Sequence, residues 1–81
     1  MMGNNQVLEF REKKLQDLSA LQKMAQSLLE LQKIDISGNL LDNIDILNSL
    51  KKLKLINASK NFIRAVNLQL PKLQELNLQS N

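Results

Sequence analysis

The frame Leu31-x-x-Ile34-x-Ile36-x-x-Asn39-x-Leu41 constrains this chain more than any other feature, because it returns in phase. Leu53-x-x-Ile56-x-Ala58-x-x-Asn61-x-Ile63 repeats it 22 residues later, and Leu73-x-x-Leu76-x-Leu78-x-x-Asn81 repeats it after a further 20. Upstream, Leu8-x-Phe10-x-x-Lys13-x-Leu15 fits the later part of the frame. That copy is degenerate: Asn5 stands at its first position and Lys13 at its Asn position, 26 residues before the next repeat. A fixed period of about 20–50 residues marks stacked units that bury their apolar sides on one another. The units are expected at residues 5–30, 31–52, 53–72 and 73–81, forming one domain over residues 1–81.

Three phased copies, each with Asn at the same offset, resemble the leucine-rich repeat family over nearly the whole chain. Residues 31–52 continue as Leu41-x-x-Ile44-x-x-Leu47-x-x-Leu50, similar to the 22-residue subclass of the protein phosphatase 1 regulatory subunit and dynein light chain. The resemblance implies an α/β fold. It would be a short right-handed solenoid with parallel strands on the concave face and helical or 3-10 returns on the convex face. It also implies a structural ladder of Asn39, Asn61 and Asn81, whose side chains hydrogen-bond the buried turns. Backbone groups that leave water need such partners.

The residues suit that fold on physical grounds. Ile34 and Ile36, two positions apart, point to one face of a short strand. Apolar residues every three positions after the turn suit a 3-10 or short helical return. Pro71 precedes the fourth strand, where its missing N–H is tolerated. In the first return, Leu15, Leu18, Leu21, Met24, Ala25 and Leu28 have helical spacing. Ser19-x-x-Gln22 has the form of a capping box, so an α-helix is expected over residues 19–30 with its apolar stripe in the core. A plain helical bundle accounts for neither the phased Asn residues nor the β-branched and small residues at Ile34, Ile36, Ile56 and Ala58.

Composition narrows the chemistry. The 81 residues include no His, Cys, Trp or Tyr, and only Phe10 and Phe62 are aromatic. The usual general base, the commonest metal ligand and any thiolate are therefore missing. Catalytic, cofactor and metal sites are expected to be none. Ser59 and Lys60 are adjacent, so their side chains diverge and make no preset nucleophile and base. Asp42 and Asp45 are expected to cap or begin the second return. The net charge is +3, but acids are interleaved among the bases, and Lys51, Lys52 and Lys54 form only a short cluster. Nucleic acid is thus an unlikely partner, although a nucleic-acid-associated repeat protein stays open as an alternative. The N-terminal residues lack the pattern of a signal peptide, and no apolar run approaches the ~20 residues that span a bilayer. With Cys absent, an intracellular, cytoplasmic setting without membrane attachment is expected.

The strand alternation also defines a candidate partner surface. If Ile34 and Ile36 face inward, then Lys33, Asp35 and Ser37 face solvent. The matching rows are Val7, Lys33, Leu55 and Glu75; Glu9, Asp35, Asn57 and Asn77; and Arg11, Ser37, Ser59 and Gln79. The resemblance implies that such a surface binds a protein partner. A regulatory segment of a larger enzyme complex, such as a phosphatase, is a further alternative. Finally, the frame stops at Asn81, so the chain is expected to be cut short at its C-terminal side. Alternatively, its last strand is an open edge that self-associates edge to edge.

Overall fold

A computed structural model describes residues 7–81. Asn5 lies outside the described residues, as does the side chain of Ala25. Four three-residue strands, β1 (Val7–Glu9), β2 (Lys33–Asp35), β3 (Leu55–Asn57) and β4 (Glu75–Asn77), form one parallel sheet in sequential order. Parallel neighbours need crossovers of about a dozen residues or more. Repeat spacings of 20, 22 and 26 residues supply that length. The protein is thus a mixed α/β structure whose strands sit where the phased frame puts them.

Register follows the frame residue for residue. Leu8 pairs with Ile34, Ile34 with Ile56, and Ile56 with Leu76. This stacks like on like and fills a single apolar layer behind the sheet. Leu31, Ile34, Ile36, Leu41, Ile44, Leu47, Leu53 and Ile56 are completely buried, so the core centres on the second repeat and the start of the third. At the ends, Leu8, Phe10, Leu73 and Leu78 are only half-buried.

The returns differ from one another. The first is not one helix over residues 19–30. An α-helix, α1, covers Ser19–Lys23 and a 3-10 segment covers Ala25–Leu28. The tighter segment rises about 2.0 Å per residue rather than about 1.5 Å, so fewer residues bring Leu28 to the Leu31 layer. Leu18, Leu21 and Leu28 are buried as the stripe requires, but Met24, at the break, loses the helical phase and is 39 % exposed. Ser19 does not cap the helix through its own side chain. Instead Asp17 Oδ1 accepts from the Ser19 N–H at 3.0 Å and its hydroxyl at 2.7 Å. These bonds, the hydroxyl's first, hold the Asp17 carboxyl below its ordinary range.

The second return contains a 3-10 segment, Asp45–Ser49, with Asp45 in its first turn. Its leading N–H, on Asp45, is taken by Asn43 Oδ1 at 2.8 Å. The third return, residues 64–70, has no helix. Val66, Leu68 and Leu70 alternate there as half-buried residues against the core. The second repeat grips this extended segment: Asn48 Nδ2 donates to the Asn67 carbonyl at 2.9 Å, and the Gln69 N–H donates to Asn48 Oδ1 at 2.6 Å. Asp45 Oδ1 accepts from the Asn67 N–H.

Each repeat bends just before its Asn position through a left-handed residue: Glu12 (φ 53°), Gly38 (φ 67°), Lys60 (φ 58°) and Ser80 (φ 62°). Only the second repeat uses glycine there. A non-glycine residue in this conformation costs roughly 1–2 kcal/mol, and glycine returns part of that as lost chain entropy. Lys60→Gly is therefore expected to stabilise the protein by about 0.5–1 kcal/mol, raising the melting temperature by about 2–8 °C. Gly38→Ala should do the reverse, because its Cβ would also lie 2.7 Å from Glu12 Cγ. Thermal unfolding of the two variants checks both signs; a destabilised Lys60→Gly protein would contradict the strain account.

Candidate interaction surface

The outward face of the sheet carries the candidate residues in straight rows. Val7, Lys33, Leu55 and Glu75 are mutual neighbours in register, as are Glu9, Asp35, Asn57 and Asn77. Arg11, Ser37, Ser59 and Gln79 lie one step beyond the strands. There the Glu12 N–H donates to the Ser37 carbonyl, the Gly38 N–H to Ser59 and the Lys60 N–H to Gln79. Neighbouring strands lie about 4.8 Å apart, so a row is a continuous band of side chains. The face is not uniformly exposed. Val7, Glu9, Arg11, Lys33, Glu75, Asn77 and Gln79 are exposed, while Asp35, Ser37, Leu55, Asn57 and Ser59 are half-buried.

The half-buried members have a structural task that strand alternation alone does not reveal. Asp35 Oδ1 accepts from the Ser37 N–H at 3.0 Å and the Ser37 hydroxyl at 2.7 Å. Asn57 Oδ1 does the same for Ser59 at 3.2 and 2.9 Å. Asn77 Oδ1 takes the Gln79 N–H at 2.9 Å. Such turns, in which a short side chain satisfies the backbone two residues on, aim the strand exit toward the bend. Asp17 and Ser19 repeat the pattern before α1. The recurring Asp/Asn-x-Ser spacing was the sequence signal for it.

These bonds also fix what the face offers. Asn57 and Asn77 spend Oδ1 internally, which leaves both Nδ2 groups as outward donors without a partner among the described residues. Asp35 keeps its second oxygen near Arg11 Nε at 3.9 Å, a long and solvent-screened contact. The surface is therefore divided. The β1–β2 half carries Glu9, Arg11, Lys33 and Asp35 with alternating sign. The β3–β4 half carries Leu55, Asn57, Ser59, Asn77 and Gln79, with Glu75 as its one charge. A shallow depression of about 270 Å³ spans the seam, lined by Glu9, Lys33, Asp35, Leu55, Asn57 and Glu75 among others.

The Asn positions lie at one side of this face, under the bends; Asn39 and Asn61 are buried and Asn81 is exposed. Asn39 is 3 % and Asn61 4 % exposed. Asn39 Oδ1 accepts from the N–H groups of Lys13 and Leu15, while Nδ2 donates to the carbonyls of Phe10, Ile36 and Ser37. Asn61 Oδ1 accepts from Leu41, and Nδ2 donates to Ile36, Ala58 and Ser59. Asn81 Oδ1 accepts from Ile63, and Nδ2 donates to Ala58, Leu78 and Gln79. Consecutive side chains share a carbonyl, Ile36 between the first two and Ala58 between the last two. These residues build the turns rather than face a ligand.

Elsewhere, two members of the basic cluster are occupied. Lys52 Nζ meets both Glu30 oxygens at 2.9 and 3.1 Å, and Lys51 Nζ reaches the Gln69 carbonyl at 3.3 Å. Lys54 and Lys33 flank a second shallow depression with Val7, Leu55 and Glu75. The Ser59 hydroxyl donates to Asn57 Oδ1, and Lys60 follows it in a left-handed bend. Among the described residues, no helix is long and apolar enough to cross a membrane. No family model, curated protein or solved structure matches this chain.

Proposed function

We propose that this chain is a short leucine-rich-repeat solenoid that acts, without catalysis of its own, as a protein–protein interaction module. Its outward strand face would be the concave contact surface. One observation carries the reading: the residue-for-residue parallel register, which lines up two outward-facing rows across four strands. The internal Asp/Asn turns support it further, because they pre-orient Asn57 Nδ2, Asn77 Nδ2 and the Asp35 carboxylate before any partner arrives. Polar groups held in place in advance lose less entropy on binding. An extended peptide or loop suits such a face. Its backbone carbonyls would meet the amide donors, its cations would meet Glu9, Asp35 and Glu75, and an apolar side chain would meet Leu55. The nucleic-acid alternative has less support, since Lys51 and Lys52 are engaged within the protein. The regulatory-segment alternative uses the same face and differs only in the partner's identity.

The test compares the proteins captured by the wild-type chain with those captured by Lys33→Glu and by the double variant Asp35→Arg, Asn57→Arg. Among the described residues the Lys33 side chain makes no hydrogen bond, so its variant reports on the surface without disturbing a turn. Interface residues that matter cost more than about 1 kcal/mol on substitution, so a specific partner should weaken at least about fivefold. Identical partner sets and affinities for all three proteins would remove this reading.

A further inference from the structure

Two shallow depressions on the outward face, each of about 270 Å³, meet at a common waist formed by Lys33, Leu55 and Glu75. They make one trough that runs along the strand direction over β2 and β3, both of which have strand neighbours on each side. Its polarity changes from end to end. Toward the strand entries the first depression adds Val7, Gln32, Lys54 and Gln74, of which only Lys54 is charged. At the waist Lys33 and Glu75 balance each other across a half-buried Leu55. Toward the strand exits the second depression adds Glu9 and Asp35 with neutral Ile56, Asn57 and Asn77. The trough is therefore positive at its entry end, neutral and apolar at its middle, and negative at its exit end. Backbone bonds hold the entry end in place: the Gln32 carbonyl accepts from the Lys54 and Leu55 N–H groups, and the Lys54 carbonyl from those of Gln74 and Glu75. Among the described residues, neither the Lys33 nor the Lys54 side chain makes a hydrogen bond or an ion pair. At the exit end Ser37 takes Asp35 Oδ1, while Oδ2 has only the screened Arg11 contact at 3.9 Å.

We infer that this trough binds an extended peptide segment in which an acidic and a basic side chain flank an apolar one at alternate positions. The inference rests on the reading of the outward face as a contact surface and specifies what that face takes. Alternate side chains of an extended chain project to one side about 6.6–6.8 Å apart. Positions 54 and 57 are about 10 Å apart along the strand, and the long lysine stem carries its charge further toward the entry end. An acid on the peptide thus meets Lys54 and Lys33. The apolar side chain two positions away covers Leu55, and the base two positions beyond that meets Glu9 and Asp35. The opposite signs of the two ends disfavour other occupants. A polyanion such as a nucleic acid gains at the entry end but meets two acids at the exit end, and a polybasic segment has the reverse difficulty. A free amino acid carries its two charges too close together to span the waist. Complementarity of this kind selects among partners more than it adds raw affinity.

Three peptides with capped termini test it: Glu-Thr-Leu-Thr-Lys, Glu-Thr-Leu-Thr-Glu and Lys-Thr-Leu-Thr-Lys. Each is titrated at low salt into the isotopically labelled 81-residue chain and followed by NMR. The first should bind tightest, by about threefold to fivefold over either of the others, the scale set by exposed charge pairs at low ionic strength. The double variant Lys33→Glu, Lys54→Glu should change the order and prefer Lys-Thr-Leu-Thr-Lys. Glu9→Lys neutralises the exit end, so it should cease to distinguish Glu-Thr-Leu-Thr-Lys from Glu-Thr-Leu-Thr-Glu. All three substituted positions are exposed, and the spectra establish that each variant is folded. The two ends are probed separately, so one folded variant is enough to decide. Equal binding of the three peptides, no binding at millimolar concentration, or the same ranking in wild type and variants would each overturn the inference. The wider reading of the outward face survives such a result if Lys33→Glu still loses a protein that the wild type captures; both fall if capture is unchanged as well.

Discussion

Replacing Asn39 with Ala is expected to destabilise the protein by about 2–4 kcal/mol, and replacing it with Asp by at least as much at neutral pH. Asn39 is nearly solvent-free and joins two repeats through both ends of its amide. Alanine leaves the N–H groups of Lys13 and Leu15 and the carbonyl of Phe10 without that partner in a site that water enters poorly. Aspartate separates shape from chemistry. It retains the accepting oxygen and the size, but it exchanges the donating Nδ2 for an anion facing the carbonyls of Phe10, Ile36 and Ser37. Burial and those carbonyls raise such a carboxyl's pKa above its unfolded value. The Asp penalty should therefore be full at neutral pH and shrink as pH falls through that raised value, where the protonated acid regains one donor. Urea unfolding of both variants at neutral and mildly acid pH measures this. An Asp variant as stable as wild type at pH 7 would refute the donor role.

The second large effect concerns burial within one row of the sheet. Ile34→Ala should cost about 2–5 kcal/mol, because Ile34 is fully buried and its removal opens a cavity between Leu8 and Ile56. Leu76→Ala, in the same row, should cost about 1 kcal/mol or less under dilute conditions, since more than a third of that side chain already meets water. A domain of this length has about 4–12 kcal/mol of stability in all, so Ile34→Ala consumes a large part of it. Denaturation midpoints of the two variants give the comparison directly. Equal losses would mean that the ends of the sheet are packed as tightly as its centre.

The phased frame carries the strands, their order and their register in the sequence itself. Ile34, Ile36 and Asn39 recur with their spacing intact, and parallel stacking of like on like is the arrangement that buries all three columns. What lay outside that reading arises between repeats. Residues 64–70 are extended because Asn48 and Asp45, about 20 residues earlier, occupy their backbone groups. Spacing within the segment carries no sign of those partners. The helix expected over residues 19–30 failed for a related reason. The apolar stripe specifies which face is buried but not how far the chain must travel, and that distance selects the 3-10 segment Ala25–Leu28. On the candidate surface the rows were legible from alternation. The internal use of Asp35, Asn57 and Asn77 was not, because alternation treats every outward side chain as equally free.

The direction of the shared-carbonyl arrangement has a consequence for how the chain is made. The Lys13 and Leu15 N–H groups are satisfied by Asn39, Leu41 by Asn61 and Ile63 by Asn81. In every case the side chain that takes these N–H groups comes from the repeat that follows, while each bend's carbonyls are met by its own Asn. A growing chain therefore emerges with its latest bend unfinished, and each newly added repeat completes the one before it. Assembly would run like a row of latches, each closed by the next link, with the most recent bend always exposed to whatever else is nearby.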